Sequence, residues 1–208
     1  MTPDEAQPIL DEAEATLQAG DATRAEALFR TVQAAQGPDA HQKAHAEAGL
    51  GEAALMARKP AEAAGHFHTA AHLDPAQAAF PHYRMGEALM RAGDWEGAIA
   101  AFRESLARHP EEERHARAEI LGRLGRARVL SGDRGGEEDL RRAIDLDPIH
   151  AALHADLGDC LMERRAWKEA AEAYARALEL DPGNADYAAG RQRAEAIARK
   201  LARDPPGA

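Results

Sequence analysis

Six of the ten histidines fall into pairs four residues apart, His41/His45, His68/His72 and His150/His154. On a helix that spacing places two imidazoles on one face, close enough to share a zinc-class ion. A metal site needs more than this. No pair carries the glutamate of an H-E-x-x-H motif, and no third ligand accompanies any pair in the sequence. Scattered histidines on alanine-rich helix faces are therefore expected, with no metal and no other cofactor. Cys160 is the single cysteine, which excludes an internal disulfide framework and agrees with a reducing compartment. It is expected to be buried filler. Carboxylate pairs such as Glu111 and Glu113 read as helix-terminal, solvated charge. The chain contains no glycine-rich phosphate loop, nucleophile elbow or Cys-x-x-Cys, so enzyme activity is not expected.

The elements that carry these residues are set by composition. Alanine dominates the apolar fraction and aromatics make up only 4% of 208 residues, which favours closely packed helices over a β-sandwich. That length allows one compact unit or two small ones. The formal charge is −10, with the bases dispersed, so the positive field that phosphate binding requires is missing and nucleic acid is not an expected partner. The first twenty residues have no positive segment followed by an apolar run, and no stretch of eighteen apolar residues occurs anywhere. A soluble, cytoplasmic chain without membrane insertion is expected.

The chain repeats itself. "GLGEAAL" (49–55), "RMGEALM" (84–90), "RLGRARVL" (123–130) and "DLGDCLM" (156–162) each precede a proline. Gly51 to Pro75, Gly86 to Pro110 and Gly158 to Pro182 each span 24 positions, and Gly125 to Pro148 spans 23. Between glycine and proline lies Ala-x-x-x-aromatic, as Ala63/Phe67, Ala98/Phe102 and Ala170/Tyr174, with the weaker Gly136/Leu140. A first copy keeps Ala25 and Phe29.

On these residues the sequence resembles the tetratricopeptide repeat family, whose pattern is W-x-x-L-G-x-x-Y, then A-x-x-x-F, then P within about 34 residues. Leu50-Gly51, Ala63, Phe67 and Pro75 match it, as do Leu157-Gly158, Ala170 and Pro182. The tryptophan position is instead Glu47, His82, Leu121 or His154, and the tyrosine position Ala54, Leu89, Arg128 or Leu161. His82 and His154 are thereby expected to pack. The resemblance implies an all-α, right-handed α-α superhelix (tetratricopeptide solenoid) over 1–182. Five helix hairpins are expected at about 6–37, 44–77, 79–112, 118–150 and 151–184. Small residues at Gly86 and Ala98 let paired helices approach, and Phe102 and its equivalents are expected to fill the space between one pair and the next.

Local chemistry sets the helix ends. Thr2, Pro3 and Glu5 form a capping box, Gly20-Asp21, Gly93-Asp94 and Gly132-Asp133 end one helix and cap the next, and Pro60 can open its helix. The fourth repeat is irregular. Its first helix is expected to begin early, at "PEEERHARAEIL", and "GDRGGEEDL" to weaken the second. After Pro182, residues 183–203 read as a helix covering the last hairpin, with Tyr187, Ala194, Ile197 and Leu201 on its apolar face, and 204–208 as a tail.

In the family resembled, the first helix of each repeat lines a concave surface. Carried onto this chain, those positions are Glu14, Leu17, Glu52, Leu55, Met56, Tyr83, Glu87, Met90, Arg91, Arg126, Val129, Asp159 and Met162. They form an apolar row, Leu17, Leu55, Met90, Val129 and Met162, beside acids at 14, 52 and 87. The lysine and asparagine that clamp chaperone tails in some members have no counterpart, since Ala48/Glu52 and Tyr83/Glu87 stand there. The resemblance implies a non-enzymatic scaffold or adaptor that takes a peptide or helix with apolar anchors and basic flanks. A self-assembling protein is the alternative, motivated by Ile9 and Leu10 if they are exposed. Trp95 and Trp167, each nine residues after a repeat glycine, are expected to pack between repeats.

Overall fold

A computed structural model describes residues 1–203, and among them there are eleven α-helices, one short 3-10 turn at 75–77 and no strand. The tail expected at 204–208 lies outside the described residues. The chain forms two compact units, Met1–His109 and the part from Pro110 onward. The first holds α1 (Pro3–Gln18), α2 (Ala22–Ala34), α3 (Ala40–Met56), α4 (Pro60–Leu73), α5 (Ala79–Ala92) and α6 (Trp95–Arg108). The second holds α7 (Arg114–Leu130), α8 (Gly136–Leu146), α9 (Ala151–Glu163), α10 (Trp167–Leu180) and α11 (Ala185–Arg203). Within each unit every helix packs on the next in sequence, and α1 with α3, α7 with α9 and α9 with α11 also meet. This is the consecutive hairpin packing of an all-α repeat fold.

The helix ends follow from short-range hydrogen bonds. Thr2 Oγ1 accepts from the Glu5 amide (3.3 Å) while the Thr2 amide donates to Glu5 Oε2 (2.8 Å), closing the capping box of α1. Asp21 and Asp94 cap α2 and α6 by accepting from the Arg24 and Gly97 amides at 3.0 and 2.9 Å. Each of the five hairpin turns has one residue in the left-handed region: Gly20, Gly93 and Gly132, but Arg58 (φ 58°) and Arg165 (φ 60°) in the other two.

The fourth repeat departs from expectation twice. α7 does begin early relative to its repeat glycine, but at Arg114, so Pro110–Glu113 stay outside it and the acids do not occupy its first turn. Asp133 does not cap α8. Its carboxylate accepts from the Gly135 amide at 2.9 Å and pairs with Arg128, which holds a turn that delays the helix to Gly136. α8 is consequently 11 residues long.

Apolar burial explains the repeat signature. A Cβ at Gly51, Gly86 or Gly158 would lie 2.8, 2.6 or 3.0 Å from the ring of Phe67, Phe102 or Tyr174 respectively. The aromatic thus packs inside its own hairpin, against the bare helix surface the glycine provides, rather than only between pairs. Phe29 follows the expected pattern, its ring lying on Gly49 of the next hairpin, and the Tyr174 ring also reaches Gly190 on α11. Phe29, Phe67 and Phe102 are fully buried.

Candidate functional site

In the first unit the residues named from sequence separate by environment. Leu55 is 9% exposed and sits in a cluster with Ala63, Phe67 and Ala88, so it belongs to the hairpin core and presents nothing outward. Leu17 is half-buried against the α1–α3 cluster, and Tyr83 packs with its ring centre 6.0 Å from that of Phe102. Met90 is half-buried, whereas Met56 (47%) and Arg91 are exposed.

The three acids are already engaged. Glu14 shares a 2.5 Å hydrogen bond with His45 Nε2. Arg84, absent from the sequence reading, donates from Nε to Glu52 Oε1 at 2.5 Å, from Nη2 to the other Glu52 oxygen, and from Nη1 to Glu87. Its guanidinium also lies 5.8 Å from the Phe67 ring centre. An acidic row free to meet a basic partner is therefore not what these side chains form, because an internal cation neutralises Glu52 and Glu87. The Glu87 half of this arrangement is a readable i,i+3 spacing from Arg84; the Glu52 half joins α3 to α5 and has no local signal.

The second unit contains a cavity of about 880 Å³. α7, α9 and α11 provide its walls, and Val129, Met162, Tyr187 and Ile197 supply apolar surface. Arg126, Val129, Asp159 and Met162, named from sequence, all line it. Trp167 borders it as well, which adds a surface role to the packing expected of it. At its floor Asp156 accepts from Arg126 Nη1 at 3.1 Å, with its side chain 13% exposed. Desolvation pushes the Asp156 carboxyl above its ordinary value, more than Arg126 and Arg123 pull it down. The Tyr174 hydroxyl donates to Asp159, and burial, reinforced by that carboxylate, raises its pKa. α11 can approach because Gly190 has no side chain: a Cβ there would lie 2.6 Å from the Tyr174 ring.

Profiles of the tetratricopeptide repeat match residues 79–112 and 134–185, the two stretches that carry the intact Gly86/Phe102 hairpin and the Tyr174 hairpin. These two stretches of the chain are tetratricopeptide repeats. Several solved structures share its fold. MamA (41-end) from Desulfovibrio magneticus RS-1 is 21% identical at a TM-score of 0.73, covering 89% of this chain and 99% of its own. YrrB, described as a TPR protein with an unusual peptide-binding site, is 16% identical at 0.69, covering 90% and 92%. Pseudomonas aeruginosa pilF is 18% identical at 0.70, covering 99% and 95%. No curated protein sequence matches the chain.

The chain departs from the tetratricopeptide repeat pattern at positions where histidines replace tryptophan, His82 and His154. Burial, aided by Arg108, pushes His82 below its ordinary pKa, and His154 Nε2 lies 3.0 Å from the Pro148 carbonyl. Cys160 is buried in the core of the second unit. No described helix is long and apolar enough to cross a membrane. Asp156 and Arg193, missed from sequence, and Tyr187 and Ile197, read there only as the apolar face of the last helix, come together where α11 packs on α9 and α10.

Proposed function

We propose that this chain is a non-enzymatic interaction module and that the cavity of the second unit takes a peptide segment through an apolar anchor. The cavity supports this reading: its volume falls in the range of ligand sites, and its walls combine apolar and aromatic surface with a few fixed polar groups. Tyr187, Met162 and Ile197 hold the anchor, while Asp156 and Arg126 orient its polar flanks. Four acids, Asp156, Asp159, Glu163 and Asp186, face four bases, Arg123, Arg126, Arg165 and Arg193, around this cavity. A mixed-charge segment suits that rim better than a uniformly basic one. That YrrB carries a peptide-binding site on the same fold adds to this reading. An adaptor or scaffold role in the cytoplasm is part of the proposal.

Ile9 and Leu10 do not support self-assembly, because Leu10 is fully buried and Ile9 packs against the α1–α3 cluster. The decisive experiment selects binders from a displayed library of random 12-residue peptides, using the whole chain and its Met162→Glu and Tyr187→Ala variants. Leu55→Glu is unsuited to the purpose, since it would place a charge in the core. Peptides that share an apolar residue and lose at least tenfold affinity for both variants are expected. Peptides bound equally by wild type and variants would reject the site.

A further inference from the structure

The fold assembles a histidine pair that the sequence spacing does not suggest. His150 lies 35 positions from His115, yet their rings stack with centres 5.8 Å apart and planes 19° from parallel. Asp147 stands at both. Its Oδ2 is 2.7 Å from His115 Nδ1 and 3.8 Å from His150 Nδ1. One ligand atom from each of the three residues falls within 4.8 Å of the other two. The His150 Nδ1 is buried and has no hydrogen-bond partner, so a polar atom is held facing the carboxylate without being satisfied by it.

We propose that His115, Asp147 and His150 form a binding site for a divalent transition ion of the zinc class. Two imidazoles and one carboxylate are a common donor set for such ions, with positions left over for water or an outside ligand. Zinc-ligand bonds of about 2.0–2.1 Å in a tetrahedron require donor atoms roughly 3.3 Å apart, within the range already spanned here. His115 is exposed (77%) and free to adjust by side-chain rotation, while Asp147 and His150, at 13% and 31%, are held by the α8–α9 connection. Arg114, which borders the same three residues, donates to the Asp145 and Leu146 carbonyls at 3.2 and 3.5 Å and so caps α8.

The same chain supplies the control. In the second repeat His41 Nδ1 meets Asp74 at 2.8 Å, the same imidazole-to-C-cap contact in the same register. Three residues after Asp74, however, stands Gln77, whose amide caps onto the carboxylate and brings no imidazole. A His–Asp latch between paired helices therefore needs no third donor. The fourth repeat has one.

The test uses the untagged full chain, stripped with chelator and dialysed, then titrated with Zn²⁺ by calorimetry and with Co²⁺ by visible absorption. One equivalent of saturable binding is expected in wild type and in His41→Ala. In His115→Ala and in His150→Ala the affinity should fall more than about tenfold, since loss of even an outer-shell partner costs that much. Far-UV circular dichroism of each variant separates lost ligation from lost folding, and His150→Gln, which keeps a polar side chain, serves if the alanine variant unfolds. No saturable uptake by wild type, or uptake that survives both substitutions but is lost in His68→Ala, whose ring lies 4.2 Å from His72, would overturn the assignment.

Discussion

Arg84 on α5 engages both carboxylate oxygens of Glu52 on α3, and so locks two repeats together with a charge pair that is only partly open to solvent. The guanidinium side chain is 20% exposed, and Glu52 and Glu87 are 29% and 15%. Removing the cation strands two acids side by side. Arg84→Met should destabilise the first unit by about 2 kcal/mol, read from urea unfolding. Arg84→Lys should recover less than half of that, because an ammonium cannot bind Glu52 through two parallel donors and reach Glu87 as well.

Two backbone positions should respond in opposite directions. Arg58 occupies the left-handed region that Gly20 and Gly93 occupy in other turns, so Arg58→Gly should stabilise by about 0.5–1 kcal/mol. Gly86→Ala drives a methyl into the Phe102 ring and should cost about 1–3 kcal/mol. Thermal melts of the two variants on opposite sides of wild type are the expected result.

Asp156 should make the second unit less stable as pH rises. Its folded pKa is raised above the ordinary value of 3.8, so the native state binds more protons than the unfolded chain between those two values. The stabilising protonated form is complete below 3.8 and lost as pH climbs through the folded value. Arg126, Arg123 and His150 oppose this trend and Asp159 adds to it. Asp156→Asn should therefore raise the melting temperature at pH 7 and flatten its dependence between pH 4 and 7, while weakening peptide binding. An unchanged pH profile would show that Asp156 is not the group responsible.

Gly190 controls the wall of the cavity. A larger side chain there meets Tyr174, so Gly190→Val should lift α11 and expose the amides of 185–203 to hydrogen exchange at least tenfold faster than wild type. Protection in α7 and α8, which do not touch this glycine, should be unchanged.

Much of this architecture is legible in the chain itself. Thr2 with Glu5, and Gly93 followed by Asp94, announce helix ends because a cap is a contact between residues two or three apart. The 24-residue interval from glycine to proline reveals the hairpins because each helix pair repeats the same burial problem, a ring in Phe67 or Phe102 against a bare surface at Gly51 or Gly86. The fourth repeat is the least legible. Asp133 has two competing uses, as a cap and as the partner of Arg128, and only the second is realised in full.

The sequence by itself determined the helices, their pairing and the small-against-aromatic core, since these depend on neighbours within one repeat. Tertiary structure alone decided which charges are free and which side chains meet. Leu55 faces inward although its repeat position suggested a groove; Glu52 is neutralised by a residue 32 positions away; His150 finds His115 instead of His154. The physical reason is common to all three. A repeat fixes where each backbone position lies relative to its own hairpin, whereas electrostatic and ligand contacts depend on the few ångströms between side chains of different hairpins, where this chain does not repeat itself.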